Sequence, residues 1–249
     1  MCLGLDRPEE EIVTRFVRVV ALLIPILACA VDPAERLYYD ALRGEETGMG
    51  REAQVELLSR AISMAPRRSW YWETRATYLI DLKLYDRASS DLDTAIRLND
   101  RPYLRFMRGL VTCERGYPAA SVDDFNAAIA AQPKNTQFYR GRSLALSALG
   151  RYREALVDAE HLVAVVPQQA ESWYARGVAR SGLGDDRGAL SDFGEAIRRR
   201  PELVFPVAAR ARSHERLGES REAAMDRELA GKLERDRAGC ALCLDPFRY

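Results

Sequence analysis

The feature that most constrains this chain is a repeat of about 34 residues that runs through most of its length. Each copy places small, aromatic and proline residues at the same offsets. A period in this range, without strand-like alternation, predicts an array of supersecondary units that stack because none buries its own apolar face. In the second half of the unit the repeated residues are Leu92 and Ala95; Phe125, Ala128 and Pro133; Ala159, Leu162 and Pro167; and Phe193, Ala196 and Pro201.

The spacing of apolar residues predicts that each unit is a helical hairpin. Between Trp173 and Pro201 apolar residues recur three or four positions apart, which indicates helices with one buried face. Glycines and aspartates from Gly182 to Asp186 interrupt that pattern midway and predict a turn. Proline cannot continue a helix and therefore marks the end of each unit, at Pro66, Pro133, Pro167 and Pro201.

With these residues in place, the chain resembles the tetratricopeptide repeat (TPR) family. With Ala170 as the first position of one copy, the family's signature positions are occupied by Trp173, Gly177, Gly184, Ala189, Phe193, Ala196 and Pro201. Counting in both directions gives six copies, at 35–68, 69–101, 102–135, 136–169, 170–203 and 204–237. The resemblance implies an all-α fold, a right-handed α-solenoid of stacked antiparallel helix pairs.

The first copy departs from the pattern in a way that suits a terminal cap. Gly44, Gly48 and Gly50 are expected to weaken its hairpin, because glycine inside a helix costs about 1 kcal/mol relative to alanine. Gln54 also stands where the other copies have a small residue. Degenerate end repeats are common in solenoids.

The repeats share an arginine and an aspartate outside the usual signature, and both are missing from the first copy, which has Ala41 and Leu57 there. Because the two residues are gained and lost together, we predict a contact between the helices of each hairpin. Such ion pairs contribute little when exposed and more when partly buried. A row of arginines that binds an acidic ligand is the alternative. The predicted pairs are Arg75 and Asp91, Arg108 and Asp124, Arg142 and Asp158, Arg176 and Asp192, and Arg210 and Asp226.

The resemblance also implies a concave groove lined by the first helices, which in this family grips peptides or helices of a partner. Aromatic and arginine side chains on one surface are typical of binding hot spots. Trp70 and Phe205 have an alternative role, since they lie near repeat junctions and would pack between hairpins. The family's lysine and asparagine clamp is absent, which disfavours chaperone tails. The groove positions are Tyr39, Arg43, Trp70, Glu73, Tyr103, Phe106, Arg140, Tyr174, Phe205 and Arg212.

The amino terminus has the features of an export signal. The apolar run from Val19 to Val31 follows two arginines and is shorter than the roughly 18 residues of a membrane span. Ile26 to Cys29 resembles a bacterial lipobox, which would leave Cys29 lipidated. Cleavage to a soluble exported protein, an uncleaved membrane anchor and an ordinary buried segment are the alternatives. The stretch before the run is acidic, so initiation at Val13 or Val17 is a further hypothesis.

The carboxyl-terminal tail contains a pair of cysteines, Cys240 and Cys243, in a Cys-x-x-Cys arrangement. The pair is consistent with a structural disulfide, free packing thiols, a redox centre or half of an intermolecular metal site. A metal site within one chain is not expected, because His161 and His214 lie inside repeat helices. The apolar residues around the cysteines favour a tail that covers the last hairpin.

The sequence predicts neither an enzyme nor a cofactor, since it contains no nucleophile elbow, paired-histidine helix or phosphate-binding loop. With 37 basic and 37 acidic residues it also lacks the charge expected for nucleic-acid binding. We therefore expect a leader (1–30), a repeat array (31–237) and a capping tail (238–249). The expected function is a protein-binding scaffold tethered to a bacterial envelope. A redox-linked adaptor and a cytosolic scaffold are the alternatives, and the oligomeric state is not predicted.

Overall fold

The structure is a computed structural model that describes residues 32–238, and in this range the chain is an all-α solenoid without a strand. The predicted leader and the tail cysteines lie outside the described residues. Each of the six predicted repeats contains two helices. They are α1 (Pro33–Thr47), α2 (Arg51–Met64), α3 (Ser69–Asp81), α4 (Tyr85–Leu98), α5 (Pro102–Glu114), α6 (Pro118–Ala131), α7 (Thr136–Ala148), α8 (Tyr152–Val165), α9 (Ala170–Gly182), α10 (Asp186–Arg199), α11 (Val204–Arg216) and α12 (Ser220–Ala238).

The described chain forms two compact units, residues 32–82 and residues 83–238. In the first unit, α2 packs against both α1 and α3. Gln54 is fully buried between α1 and α2, where its Nε2 donates a hydrogen bond to the carbonyl of Ala41 at 2.8 Å. A Cβ at Gly44 would lie 2.6 Å from that same Nε2. Gly44 therefore does more than weaken the hairpin, because it makes room for the buried amide.

In the second unit the first helix of each hairpin packs on its own second helix and on the second helix of the preceding hairpin. First helices also contact each other directly, α5 with α7, α7 with α9 and α9 with α11. We call α5, α7, α9 and α11 the inner layer. The second helices lie outside it, so a surface formed by the inner layer faces away from them.

Glycine and phenylalanine fix the closest approach of the two helices within a hairpin. A Cβ at Gly177 would lie 2.6 Å from Cε1 of Phe193, and one at Gly109 would lie 2.7 Å from the same atom of Phe125. Both rings are almost fully buried. Interiors are packed as densely as organic crystals, so these glycines are sites where only hydrogen fits.

A residue with positive φ turns the chain between the two helices of each of the last five hairpins. Four of these residues are glycines, which adopt left-handed angles without a Cβ clash. The fifth is Lys83, with φ of 58°. The glycines, with φ between 73° and 86°, are Gly116, Gly150, Gly184 and Gly218.

Candidate functional site

A cleft of about 560 Å³ opens on the inner layer of the last three hairpins. Most of its lining comes from the carboxyl-terminal halves of α7, α9 and α11, and two second helices add a tyrosine and a phenylalanine. The lining residues are Leu144, Ser147, Ala148, Tyr152, Tyr174, Val178, Ser181, Gly182, Phe193, Ala209, Arg212 and Arg216.

Tyr174 is the central aromatic residue of this cleft. Its ring packs edge-on against Phe205, with ring centroids 4.6 Å apart, and at 6.0 Å from Phe193. Burial raises the pKa of the Tyr174 hydroxyl, while the positive charge of Arg212 acts in the opposite direction. The ring is therefore held in a fixed orientation by its neighbours, with the guanidinium of Arg212 close to it.

Small residues leave the space that the cleft occupies. Gly182 ends α9 beside the ring of Tyr152, and a Cβ at this glycine would overlap that ring. Ser147 and Ala148 end α7 in the same region. The Ser147 side chain is only 8% exposed, and its Oγ has no hydrogen-bond partner among the described residues. A buried hydroxyl without a hydrogen-bond partner is unfavourable. A ligand or water molecule that bonds to this Oγ would therefore be stabilising.

The two arginines of the cleft differ in whether a carboxylate neutralises their positive charge. Arg216 donates from Nε to both carboxylate oxygens of Asp186 at 3.0 Å and also contacts Ser181. These contacts hold the pKa of Asp186 below its usual range. Arg212 is exposed and forms no ion pair or side-chain hydrogen bond with any described residue. The cleft therefore contains one neutralised and one uncompensated positive charge.

Arg140 lies on α7, one inner helix before Tyr174, and is partly buried. Desolvation by burial lowers the pKa of its guanidinium, and the carboxylate of Glu171 acts in the opposite direction. Glu171, however, accepts a hydrogen bond from Arg200 Nη1 at 2.8 Å and is already paired. Within the described part of the chain Arg140 has no ion pair of its own.

The structure brings together three of the predicted groove residues of the second unit and separates others. Tyr174 and Arg212 line the cleft, and Phe205 supports Tyr174 from its side. Phe205 also packs on Ala170 and Leu203, which is the junction role named as its alternative. Tyr103 is 45% exposed on α5, outside the cleft.

The prediction for Phe106 is wrong, because its side chain lies in the core. It is only 5% exposed and packs 5.2 Å from the ring of Phe138 and 5.9 Å from that of Phe125. A Cβ at Gly141 would lie 3.2 Å from the Phe106 ring. Glycine on the neighbouring inner helix therefore opens the space into which the ring turns, and no partner can reach it.

The predicted groove residues of the first unit lie on α1 and α3. Tyr39 and Trp70 are 46% and 38% exposed, and Trp70 is edge-on to Tyr71 with the guanidinium of Arg68 over its ring at 5.0 Å. Arg43 forms an ion pair with Asp40. Glu73 is partly buried on α3.

Ten of the cleft residues are missing from the groove residues predicted from the sequence, although the sequence contains a signal for four of them. The inner-helix positions that supply Arg43 and Arg212 supply Leu144 and Val178 in the fourth and fifth copies, and Ser147 and Ser181 follow one turn later. Tyr152 and Phe193 come from second helices, so a rule based on first helices could not identify them.

The arginines and aspartates predicted to pair meet in four hairpins of the second unit. Each arginine donates from Nε and Nη2 to the two oxygens of one aspartate, at 2.6 to 3.0 Å. The aspartates are nearly buried. Arg75 and Asp91 lie in different units, and their pairing stays a prediction. The four pairs are Arg108 and Asp124, Arg142 and Asp158, Arg176 and Asp192, and Arg210 and Asp226.

These arginines also reach the preceding hairpin. Arg142 Nη1 donates to Oδ1 of Asn126 at 2.7 Å, and Arg108 Nη1 donates to Asp93 at the same distance. In the first unit Arg75 Nη1 donates to Ser59 Oγ at 2.9 Å. Arg108 and Arg142 therefore each join neighbouring repeats as well as the two helices of their own hairpin, and their guanidinium groups have a structural role.

Trp173 and His161, which the sequence analysis singled out, also make contacts within the fold. The guanidinium groups of Arg176 and Arg199 lie over the ring of Trp173 at 4.8 Å, and its Nε1 donates to the carbonyl of Pro167 at 2.7 Å. His161 stacks on Tyr139 with ring centroids 4.5 Å apart. These contacts account for Trp173 and His161 without a ligand.

Cofactor and membrane features can be judged only for residues 32–238. In this range no cluster of three metal-ligating side chains occurs, and none of the helices combines the length and hydrophobicity of a membrane span. Cys113 is a free thiol on α5, and burial raises its pKa. Cys29, Cys240 and Cys243 lie outside the described residues, so their predicted lipidation and redox roles stay predictions.

Comparison with known proteins identifies the fold. No model of a protein family matches the sequence, and no curated protein does either. The structure is similar to that of a tetratricopeptide repeat protein from Parabacteroides merdae, with a TM-score of 0.69 and 18% identity over 85% of this chain and 84% of the other. It is also similar to PilW, described as a widely conserved type IV pilus biogenesis factor, with a TM-score of 0.68 and 18% identity over 86% and 98%.

A third similar structure is YrrB, described as a TPR protein with an unusual peptide-binding site. The TM-score is 0.61, with 16% identity over 75% of this chain and 96% of YrrB. Identities this low establish the fold alone. The predicted fold is confirmed: the chain is an all-α solenoid of the tetratricopeptide-repeat type.

Proposed function

We propose that this protein is a non-catalytic scaffold that holds a peptide or helix of a partner protein against its inner layer. The cleft between α7, α9 and α11 carries the proposal, because it combines a fixed aromatic ring, Tyr174, with apolar side chains such as Val178 and with Arg212, which forms no ion pair with any residue in 32–238. A preformed surface of this kind loses little conformational entropy on binding. The peptide-binding site named for YrrB, which has the same fold, supports a role of this class.

The non-catalytic part of the proposal rests on the sequence, which lacks the motifs of the common nucleophilic and phosphate-transfer sites. The charged residues around the cleft support it. Asp186 forms an ion pair with Arg216, and Glu171 forms one with Arg200. The pair with Arg216 lowers the pKa of Asp186, which makes this carboxylate a weak general base.

The test is a comparison of two valine variants in a capture experiment from the native host. Val178→Glu places a charge on the wall of the cleft, whereas Val157→Glu places one on α8, where the native side chain is 67% exposed. We expect Val178→Glu to lose the partners that the parent protein captures and Val157→Glu to retain them, with both variants as helical as the parent by circular dichroism. Equal capture by the two variants would show that the partner binds elsewhere.

We further propose that the scaffold is exported and tethered to a bacterial envelope through a lipid on Cys29. The observation behind this part is the lipobox-like sequence from Ile26 to Cys29, which lies within the apolar run from Val19 to Val31. PilW, a pilus biogenesis factor of the same fold, is consistent with a role at an envelope machine. The intact mass of protein purified from membranes should match a lipid-modified chain that begins at Cys29. An unprocessed chain in the cytosol would contradict this proposal and leave the scaffold function standing.

A further inference from the structure

Most arginines of the inner layer form ion pairs within the protein, whereas two of them do not. In the last three hairpins, α7, α9 and α11 together contain seven arginines and only two acidic residues, Glu171 and Glu215. Both glutamates are paired with arginines outside these helices, Glu171 with Arg200 and Glu215 with Arg227. The seven arginines are Arg140, Arg142, Arg176, Arg180, Arg210, Arg212 and Arg216.

Five of the seven arginines have carboxylate partners on second helices. Arg142 and Arg210 each pair with one aspartate, Arg176 and Arg180 share Asp192, and Arg216 pairs with Asp186. Arg140 and Arg212 remain without an acidic partner in residues 32–238. They lie on either side of Tyr174 in the order of the inner helices. Arg212 lines the cleft from α11, and Arg140 lies at its edge on α7, one helical turn before the lining residue Leu144.

From this distribution we propose that the partner segment bound in the cleft is acidic, with an apolar side chain against Tyr174 and Val178 flanked by aspartate or glutamate residues that meet Arg140 and Arg212. The inference deepens the proposed function and rests on it. Arginine binds carboxylates through two parallel charge-assisted hydrogen bonds, which makes an acidic side chain the matching ligand. The buried Ser147 Oγ, which has no hydrogen-bond partner within residues 32–238, is a further polar group in the lining of the cleft.

The burial of Arg140 strengthens the argument. The guanidinium of Arg140 is partly desolvated and forms no ion pair with a described residue, and Glu171, which is paired with Arg200, offsets the desolvation only in part. A carboxylate that binds beside Arg140 would recover the remaining cost. The lowered pKa of Arg140 has this same cause. Complementary charge of this kind contributes chiefly to partner selection and to the rate of association.

The test uses the full chain and three fluorescent peptides whose binding is measured by fluorescence anisotropy. The first is Glu-Asp-Leu-Phe-Asp-Glu with both ends blocked, and the second is its amide counterpart, Gln-Asn-Leu-Phe-Asn-Gln, also blocked. The third is the amide sequence with a free carboxyl terminus. We expect the acidic peptide to bind at least about tenfold more tightly than the blocked amide peptide at low ionic strength, and the difference to shrink as salt is added.

The matched variants are the double substitution Arg140→Gln with Arg212→Gln, and the control Arg221→Gln. Arg221 is an exposed residue of α12 that forms no ion pair with any residue in the described range. The double variant should bind the acidic and amide peptides equally weakly, while the control should keep the full preference. A preference that survives the double substitution would overturn the inference.

Three further outcomes would also overturn it. The acidic preference is wrong if the blocked amide peptide binds as tightly as the acidic one, if only the peptide with a free carboxyl terminus binds, or if no peptide binds at concentrations up to about 1 mM. None of these results removes the scaffold function, which the comparison of Val178→Glu with Val157→Glu decides separately.

Discussion

Arg142 donates from Nε and Nη2 to the two carboxylate oxygens of Asp158, at 2.8 and 2.7 Å, across the two helices of one hairpin. The same guanidinium donates from Nη1 to Asn126 of the preceding hairpin. Asp158 is only 3% exposed. One arginine thus fixes the angle within a repeat and the contact between repeats, and the same geometry with aspartate recurs along the second unit.

Removing one partner of this pair should destabilise the protein strongly. Asp158→Ala leaves the guanidinium of Arg142 half-buried without its carboxylate, and we expect a loss of about 3–5 kcal/mol in the free energy of unfolding. The double substitution Arg142→Ala with Asp158→Ala should cost less than the sum of the two single changes. Urea denaturation followed by circular dichroism measures all three. Additive losses would mean that the two residues do not interact, and Arg227→Ala in the exposed pair with Glu215 serves as a surface control.

The close approach of Gly177 to Phe193 predicts opposite effects for two glycine substitutions. Gly177→Ala places a methyl group against a ring that is 1% exposed and enclosed by Ala189, so it should cost about 1–3 kcal/mol. Gly194→Ala, in the interior of α10, meets no atom within 4 Å and should stabilise the protein by about 0.5–1 kcal/mol. Thermal denaturation measures both, and a stabilising Gly177→Ala would refute the packing role of the glycine.

Lys83 has a left-handed backbone in the turn where the later hairpins have glycine. A residue with a Cβ is strained at this φ by about 1–2 kcal/mol, and part of this is offset because glycine is more flexible in the unfolded chain. Lys83→Gly should therefore raise the free energy of unfolding by about 0.5–1 kcal/mol. Gly150→Lys, the reverse change in a later turn, should lower it. Melting temperatures that move in the same direction for both variants would contradict the strain argument.

The ion pair between Asp186 and Arg216 should make stability depend on pH. The guanidinium lowers the folded-state pKa of Asp186 below its unfolded value of about 3.9. Its contribution is therefore complete above that value and is lost as the pH falls through the lower folded-state pKa. The parent protein should lose more stability than Asp186→Asn when the pH is lowered from 6 to 3. Parallel losses, measured as urea midpoints, would show that this carboxylate does not contribute.

Much of the fold could be predicted from the sequence because the repeat encodes it locally. Proline and glycine mark where helices end, and the alanines and phenylalanines that recur in each copy are the residues buried between the helices. The pairing of Arg142 with Asp158 was also predictable from the repeat, because the arginine and the aspartate at these two positions are both replaced in the first copy, by Ala41 and Leu57.

The candidate site was less predictable, because it depends on contacts between hairpins. Phe106 occupies a groove position, yet Gly141 on the next helix lets its ring turn into the core. In the cleft lining, Gly182 lies so close to the ring of Tyr152 that a Cβ there would overlap it, and the two residues come from different hairpins. No rule based on positions within one repeat contains that information. Whether Arg212 lacks a partner is likewise decided by the side chains of neighbouring helices.

The central claim, that a partner binds in the cleft of the inner layer, is tested most directly by photo-crosslinking in the native host. A photoreactive amino acid is placed at Val178, inside the cleft, or at Val157, on the exposed face of α8. We predict a discrete adduct with a partner protein from position 178 and none from position 157. Adducts from position 157 alone, or equally from both positions, would show that the partner does not bind in the cleft.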